Sequence, residues 1–125
     1  MNYGDFYRSF DPVPFYEERG WLIGDGRIGG KSKGLSFAHH ILEKNGLLED
    51  VHLPKYSFVI TTSVFDEFME YNNLWERLMN LRAHSDAPEL YKICAAAHLP
   101  PSLDEPLEKI LDLIEDPISV RSSST

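Results

Sequence analysis

The sequence has few of the features that mark secreted, membrane and nucleic-acid-binding proteins. Its one cysteine, Cys94, cannot close an internal disulfide, which fits a reducing cytoplasm. No apolar run approaches the length of a membrane span, and the first residues lack the basic start and apolar stretch of a secretion signal. We therefore expect a cytoplasmic protein that does not enter a membrane.

Positive charge is also scarce, because 12 Lys and Arg residues face 20 Asp and Glu residues and give a formal net charge of -8. Nucleic-acid backbones demand clustered cations, so this composition argues against a nucleic-acid partner. The 125 residues, 42% hydrophobic and 12% aromatic, are typical of a globular domain with a core. Cys94 lies among small apolar residues, which predicts a small core residue rather than a nucleophile.

The one locally basic stretch is also rich in glycine. Gly24–Gly34 contains five glycines together with Arg27, Lys31 and Lys33, and it follows the apolar run Trp21–Ile23. Glycine lets backbone amides approach a ligand closely, and the start of the helix expected next adds free N–H groups and partial positive charge. A strand, a glycine-rich loop, a lysine and a helix predict a phosphate-binding loop. The alternative is a flexible loop that only turns the chain.

Two familiar glycine patterns compete for this loop. Gly24–Gly29 matches the dinucleotide fingerprint G-x-G-x-x-G in letters, but that fingerprint also needs an acidic residue at the end of the second strand. Glu49 and Asp50 come before that strand, so the match is weak. The P-loop pattern fails more clearly, because Asp25 stands where it requires glycine. A dinucleotide-binding half-domain stays open as one possibility.

Periodicity and turn signals predict an α/β (α+β) fold with a small sheet and about five helical segments. Residues 1–19 are aromatic without a stable period, and we expect an extended arm whose rings pack either on the domain formed by residues 20–125 or on a part of the molecule not present. The predicted strands are Trp21–Ile23, Tyr56–Thr61 and Pro117–Arg121. The predicted helices are Ser32–Asn45 with Gly46 as a left-handed cap, one capped by Ser63 and Asp66, Leu74–Leu81 after a break at Asn72-Asn73, one capped by Asp86, and one capped by Ser102 and Glu105.

Apolar periodicity also predicts the buried faces of three helices. They are Leu35, Ala38, Ile41 and Leu42; then Leu90, Ile93, Cys94 and Ala97; and last Leu103, Leu107, Ile110, Leu111 and Ile114. The acidic residues between the members of the last stripe are interpreted as a solvated face rather than as metal ligands. His39 and His40 are roughly 100° apart on their helix, so we interpret both as surface or boundary residues.

Three short segments, in order, resemble the N-terminal nucleotide-binding region of the phosphoenolpyruvate synthase and pyruvate phosphate dikinase family. They are Gly29-Gly30-Lys31 before a helix with Leu35; Leu53-Pro54 with Phe58–Thr62, Phe65 and Phe68; and Ile118–Ser124. The resemblance implies an ATP-grasp variant in which ATP is clamped between two subdomains. This chain would be the first subdomain of that nucleotide-binding domain.

The resemblance also implies which residues bind the nucleotide. In that family the lysine of Gly-Gly-Lys and the arginine of the Val-Arg-Ser-Ser strand bind phosphates. The implied cofactor-binding residues here are Gly29, Gly30, Lys31, Arg121, Ser122 and Ser123. Lysine supplies a compact charge and arginine a planar fork of donors. We expect ATP and Mg²⁺ as cofactors, with the metal ligands and the catalytic residues outside these 125 residues.

The implied function is the ATP-binding part of a phosphotransferase. Phosphate would pass from ATP through a phosphohistidine, elsewhere in the parent chain, to pyruvate or a related acceptor. The sequence stops before an acidic pair expected in the family, so we expect a truncated piece that is inactive without the parent's remaining domains. The alternative is a stand-alone, non-catalytic nucleotide- or phosphate-binding module.

Overall fold

The computed structural model describes residues 2–81 and 87–123, and this part of the chain is rich in α-helix with one small sheet. Its elements are α1 (Tyr3–Ser9), α2 (Val13–Arg19), β1 (Leu22–Ile23), α3 (Gly30–Lys44), a 3₁₀ turn (Leu48–Asp50), β2 (Val59–Ile60), α4 (Thr62–Tyr71), α5 (Leu74–Leu81), α6 (Ala87–Ala96), a second 3₁₀ turn (Pro101–Leu103) and α7 (Asp104–Leu113). Within the described ranges no helix combines the length and the apolar character needed to cross a membrane. The helices and the parallel strand pair are consistent with the predicted α+β class.

The chain divides into two compact units. The first contains the described residues up to Thr62 together with the C-terminal segment from Val120 onward. The second runs from Ser63 to Ser119, and the regular elements of its described residues are all helices. All of the predicted nucleotide-binding residues belong to the first unit.

The sheet of the first unit consists of β1 and β2, which are parallel. Leu22 pairs with Val59 and Ile23 with Ile60, and the bond from Thr61 N–H to Ile23 O closes the ladder at 3.0 Å. Both strands are shorter than predicted, although their positions are correct. Because the strands are parallel, the chain leaves both at the same edge of the sheet, and the glycine stretch begins there.

The third predicted strand, Pro117–Arg121, is wrong. Residues 117–123 have no regular secondary structure and pair with neither β1 nor β2. A β-branched run reads as a strand from its composition, but a strand exists only where a neighbour completes its ladder of hydrogen bonds. This segment instead reaches the glycine stretch through a side-chain contact described below.

The prediction of an extended arm over residues 1–19 is also wrong, since α1 and α2 occupy most of it. Asn2 caps α1 by accepting the N–H of Gly4 at 2.9 Å, and Gly20 ends α2 in the left-handed region at φ 71°. Each helix has seven residues, which is two turns and too short to show a hydrophobic period. The predicted ring packing is confirmed, because Tyr7 and Phe10 both meet Phe37 of α3 edge-on.

Helix α3 begins at Gly30, two residues before its predicted start, and Gly46 follows it with φ 68°, as the predicted left-handed cap requires. Its predicted apolar face is partly wrong, because Ala38 is exposed while Ser36 is fully buried. The Ser36 hydroxyl donates to the carbonyls of Ser32 and Lys33 within the helix. A small hydroxyl satisfied in this way can be buried at little cost.

In the second unit, the predicted break between α4 and α5 is confirmed. Asn73 adopts a left-handed φ of 53°, and the Asn72 amide exchanges two hydrogen bonds with the backbone of His98 at 2.8 and 2.9 Å. Leu74, directly after the break, is fully buried. The predicted cap at Ser63 is wrong, because α4 already begins at Thr62.

Two of the predicted buried faces in the second unit need correction. In α6, Leu90 and Cys94 are exposed. The prediction failed because apolar residues occupy most of the circumference of this helix, so its sequence does not identify one buried face. The predicted cap of α6 at Asp86 lies outside the described residues. In α7, Leu111 is 68% exposed, whereas Leu103, in the 3₁₀ turn before the helix, is buried. The acidic residues of α7 are exposed, as predicted.

Candidate functional site

The glycine stretch connects the end of β1 to the start of α3. Gly24 turns the chain directly after β1 with φ 85°, a conformation that side chains with a Cβ rarely adopt. Gly29 is the N-cap of α3 and is buried, and the first hydrogen bond within the helix runs from Lys33 N–H to Gly29 O at 3.1 Å. Since Gly29 has no side chain to cap the helix, the N–H groups of the first turn depend on other partners.

Two threonines that follow β2 hold the first half of the glycine stretch. The Gly26 N–H donates to Thr61 Oγ1 at 3.0 Å, and the Thr61 hydroxyl donates to Ile23 O at 3.0 Å. The Arg27 N–H donates to Thr62 Oγ1 at 2.8 Å, while the Thr62 N–H donates back to Arg27 O at 3.1 Å. The stretch is therefore a fixed turn over Gly26 and Arg27 rather than a pliable loop.

The C-terminal segment supplies the missing cap of α3. Lys31 N–H donates to Ser123 Oγ at 3.0 Å, across 92 positions of sequence. A Cβ added to Gly29 would collide with both the carbonyl and the hydroxyl of Ser123. Gly29 is thus a glycine because another backbone lies directly against it.

Four of the predicted site residues lie together at the start of α3. They are Gly29, Gly30, Lys31 and Ser123. Arg121 and Ser122 are exposed and immediately precede Ser123 in the same segment. Lys31 is exposed as well, so its charge is available to a ligand. The part that these residues play in nucleotide binding stays a prediction.

The other two cations of the stretch are placed differently. The Lys33 ammonium lies over the ring of Tyr7 in α1, 4.7 Å from its centroid, so this charge faces the N-terminal helices. The Arg27 side chain is exposed, although its backbone is fixed by Thr62. The three cations of the stretch therefore do not form one cluster: Lys33 faces α1, whereas Lys31 lies at the start of α3.

Tyr16, from the region predicted to be an arm, supports the first turn of α3. It is fully buried, and its hydroxyl donates to Ser32 O at 2.5 Å. Burial raises the pKa of Tyr16 above its ordinary value, because the phenolate would lose its water. The neutral phenol thus fixes α3 immediately after the residues that would meet phosphate.

The sequence patterns did not indicate that Tyr16, Thr61 or Thr62 would bond to the glycine stretch. For the threonines a signal existed, because a parallel pair brings the residues after both strands to one edge. Two hydroxyls directly after the second strand were therefore well placed to bond to the loop that follows the first strand. Tyr16 had no comparable signal, since its helix is too short to show a period.

Two cavities of the first unit lie away from the glycine stretch. The first unit has cavities of about 130 and 280 Å³, which lie between the N-terminal helices, α3 and the segment before β2, and neither is lined by residues 24–31. Among the residues that the structure describes, no group of three His, Cys, Asp or Glu side chains could hold a metal ion.

A parallel strand pair, a glycine-rich turn and a helix that begins with an exposed lysine together form an arrangement typical of phosphate-binding loops. Residues 25–125 match the family model described as the pyruvate phosphate dikinase AMP/ATP-binding domain, and the chain belongs to that family. The resemblance predicted from the three motifs is thus confirmed. No curated protein and no solved structure matches the chain.

The dinucleotide alternative finds no support in the hydrogen bonds of the stretch. In that fingerprint the second glycine lets the backbone approach the pyrophosphate closely. Here the second glycine is Gly26, whose N–H already donates to Thr61 Oγ1. The family match likewise describes an AMP/ATP-binding domain.

Proposed function

We propose that this chain is the first subdomain of an ATP-grasp-like domain, and that it binds ATP for a phosphotransferase related to phosphoenolpyruvate synthase and pyruvate phosphate dikinase. The observation that carries the proposal is the contact between Lys31 N–H and Ser123 Oγ. It brings the segment that contains Arg121 to the start of the helix that contains Lys31. The family match to an AMP/ATP-binding domain supports ATP as the ligand.

The contribution of each residue follows from its chemistry. Lys31 N–H already binds an oxygen atom, that of Ser123, so it is directed toward a position that an oxygen ligand can occupy. The N-terminal end of α3 adds partial positive charge there. Lys31 and Arg121 are exposed and would neutralise phosphate charge with charge-assisted hydrogen bonds. ATP supplies the phosphoryl group, while these residues bind and orient it.

The later steps belong to the remaining domains of a parent protein. We propose that phosphate passes to a histidine there and then to pyruvate or a related small acceptor, with Mg²⁺ held by carboxylates outside the described residues. The 125 residues alone would bind ATP without transferring phosphate. Should they bind ATP and also prove to be a complete protein, the non-catalytic module would be the better description.

The first test is calorimetric titration of ATP into the chain and into its Lys31→Ala and Arg121→Ala variants. A hydrogen bond to a charged group is worth about 1.5–3 kcal/mol, so each variant should bind roughly ten- to a hundredfold more weakly. Lys109→Ala is the matched control, because Lys109 is exposed in the second unit and pairs with Glu105. Undetectable ATP binding by the unmodified chain, or unchanged binding by both variants, would contradict the proposal.

Two further measurements separate the alternatives. Titration with NAD should give much weaker binding than ATP, whereas equal affinity would favour the dinucleotide fingerprint. In a full-length parent, Lys31→Ala and Arg121→Ala should each abolish ATP-dependent self-phosphorylation without unfolding the protein. Retained self-phosphorylation in both would remove the mechanism.

A further inference from the structure

We propose that Thr61 and Thr62 are positioning residues of the nucleotide site, which fix Gly26 and Arg27 so that the N–H groups of Gly30–Ser32 are presented to phosphate. This inference rests on the proposed function and assigns the two threonines a part in it. Neither threonine needs to touch the ligand. Each acts on the backbone of the glycine stretch.

The first observation is that the two threonines bind consecutive N–H groups of the stretch. Thr61 Oγ1 accepts from Gly26 and Thr62 Oγ1 accepts from Arg27, at 3.0 and 2.8 Å. These distances are within the range of good hydrogen bonds. Both N–H groups are thus used by the protein itself and are directed toward β2.

The second observation concerns where donors remain. An α-helix leaves its first N–H groups without acceptors inside the helix, and in α3 the first internal donor is Lys33. The donors at the helix start are therefore at Gly30–Ser32, directly after the fixed half of the stretch, and a phosphate that takes the Lys31 N–H must displace the Ser123 hydroxyl. With Gly26 and Arg27 held, only a few torsion angles at Ile28 and Gly29 separate the sheet edge from these donors.

The third observation distinguishes the two hydroxyls. Thr61 is 2% exposed, and besides accepting from Gly26 its hydroxyl donates to Ile23 O at the end of β1. The Ile23 carbonyl also accepts a hydrogen bond from the Thr61 N–H, so it would keep a partner if the hydroxyl were removed. The Gly26 N–H, in contrast, would lose its bond to Thr61 Oγ1. Thr62 makes one side-chain bond, and its backbone bond to Arg27 O would survive substitution. Thr61 should therefore matter more.

The test is calorimetric titration of ATP into Thr61→Val, which keeps the shape of the side chain and removes its hydroxyl. Without the bond to Gly26, the glycine stretch would have to be ordered when phosphate binds, and this ordering costs binding free energy. We therefore expect Thr61→Val to bind ATP roughly tenfold more weakly, equivalent to about one hydrogen bond. Thr61→Ser, which keeps the hydroxyl, should bind within about twofold of the unmodified chain. Thr62→Val should bind about threefold more weakly and decides the matter should Thr61→Val fail to fold.

The Ser36→Ala control distinguishes a positioning role of Thr61 from a purely structural one. Ser36 is another fully buried hydroxyl of the first unit, which bonds to Ser32 O and Lys33 O and to the Tyr16 side chain but not to Gly26 or Arg27. Its loss should lower the free energy of unfolding without changing ATP affinity, while Thr61→Val changes affinity and also speeds amide exchange at Gly26. If the unmodified chain binds ATP and Thr61→Val binds it equally well, the positioning role is refuted while the proposed ATP-binding function stands. If the unmodified chain does not bind ATP, the proposed function fails and this inference fails with it.

Discussion

The substitution Gly29→Ala isolates the contact between the start of α3 and the C-terminal segment. Gly29 has φ -77° and ψ 170°, an extended conformation that alanine adopts without strain. The added methyl group would nevertheless collide with the carbonyl and the hydroxyl of Ser123. A backbone carbonyl cannot rotate away as the end of a long side chain can. The segment that contains Ser123 must therefore move.

The size of the effect follows from what that movement loses. The bond from Lys31 N–H to Ser123 Oγ is exposed, and a bond of this kind contributes about 0.5–1.5 kcal/mol. Ser123 bonds to α3 at its cap, so overpacking can be relieved by movement that removes the cap while the strand pair and the later turns of α3 stay in place. We therefore expect the free energy of unfolding to fall by about 1 kcal/mol, and by clearly less than the 3 kcal/mol at the upper end for overpacked cores.

The assay is urea unfolding of Gly29→Ala beside Gly34→Ala, with amide hydrogen exchange at Lys31. Gly34 lies inside α3, and a Cβ there would meet nothing within 4 Å. Alanine at position 34 should raise the free energy of unfolding by about 0.5–1 kcal/mol through helix propensity. The two variants should thus change stability in opposite directions, and only Gly29→Ala should speed exchange at Lys31.

Unchanged exchange at Lys31 in Gly29→Ala would refute the reasoning. It would mean that Ser123 stays in place despite the added methyl group, or that it does not protect the Lys31 N–H at all. A loss of several kcal/mol would refute it differently, because the segment would then be part of the core rather than a removable cap.

Two other predictions concern single residues. Because burial raises the pKa of Tyr16, the folded state holds the phenol proton more tightly; the contribution of Tyr16 to the free energy of unfolding should be constant below its ordinary pKa of 10.0 and fall as pH rises above it. Tyr16→Phe should make that fall smaller in urea unfolding measured at several pH values, and an equal fall would contradict the assignment. Asn73 has φ 53°, so Asn73→Ala should lower the free energy of unfolding by about 1 kcal/mol while Asn73→Gly leaves it nearly unchanged. Equal losses in both variants, measured by thermal unfolding, would show that the amide side chain matters rather than the backbone angle.

The start of the site was predictable because its signals are local. A short apolar run, a glycine stretch and a helical pattern appear side by side, and they predict β1, the turn and α3 to within a few residues. The left-handed Gly46 and the break at Asn73 follow from turn chemistry in the same way. The family resemblance added the C-terminal motif, whose Ser123 does reach the loop.

The errors arise where the structure depends on distant partners. Pro117–Arg121 has the composition of a strand, but nothing in its own sequence says whether a neighbouring strand exists. Ser36 is buried because a helix carbonyl satisfies its hydroxyl, and hydrophobic periodicity cannot register that. Leu111 and Cys94 were predicted to be buried and are exposed. A hydrophobic pattern shows which residues could be buried, but it does not show whether another element covers them.

The Ser123 cap has a consequence for how the helix start would discriminate among ligands. An anion that takes the Lys31 N–H must displace a hydroxyl oxygen that already occupies it, so the exchange creates no additional hydrogen bond at that atom. Neutral, hydroxyl-bearing compounds such as sugars or unphosphorylated nucleosides gain nothing there that the protein does not already provide. Selectivity at this position would rest on ligand charge, and affinity should decline as ionic strength rises.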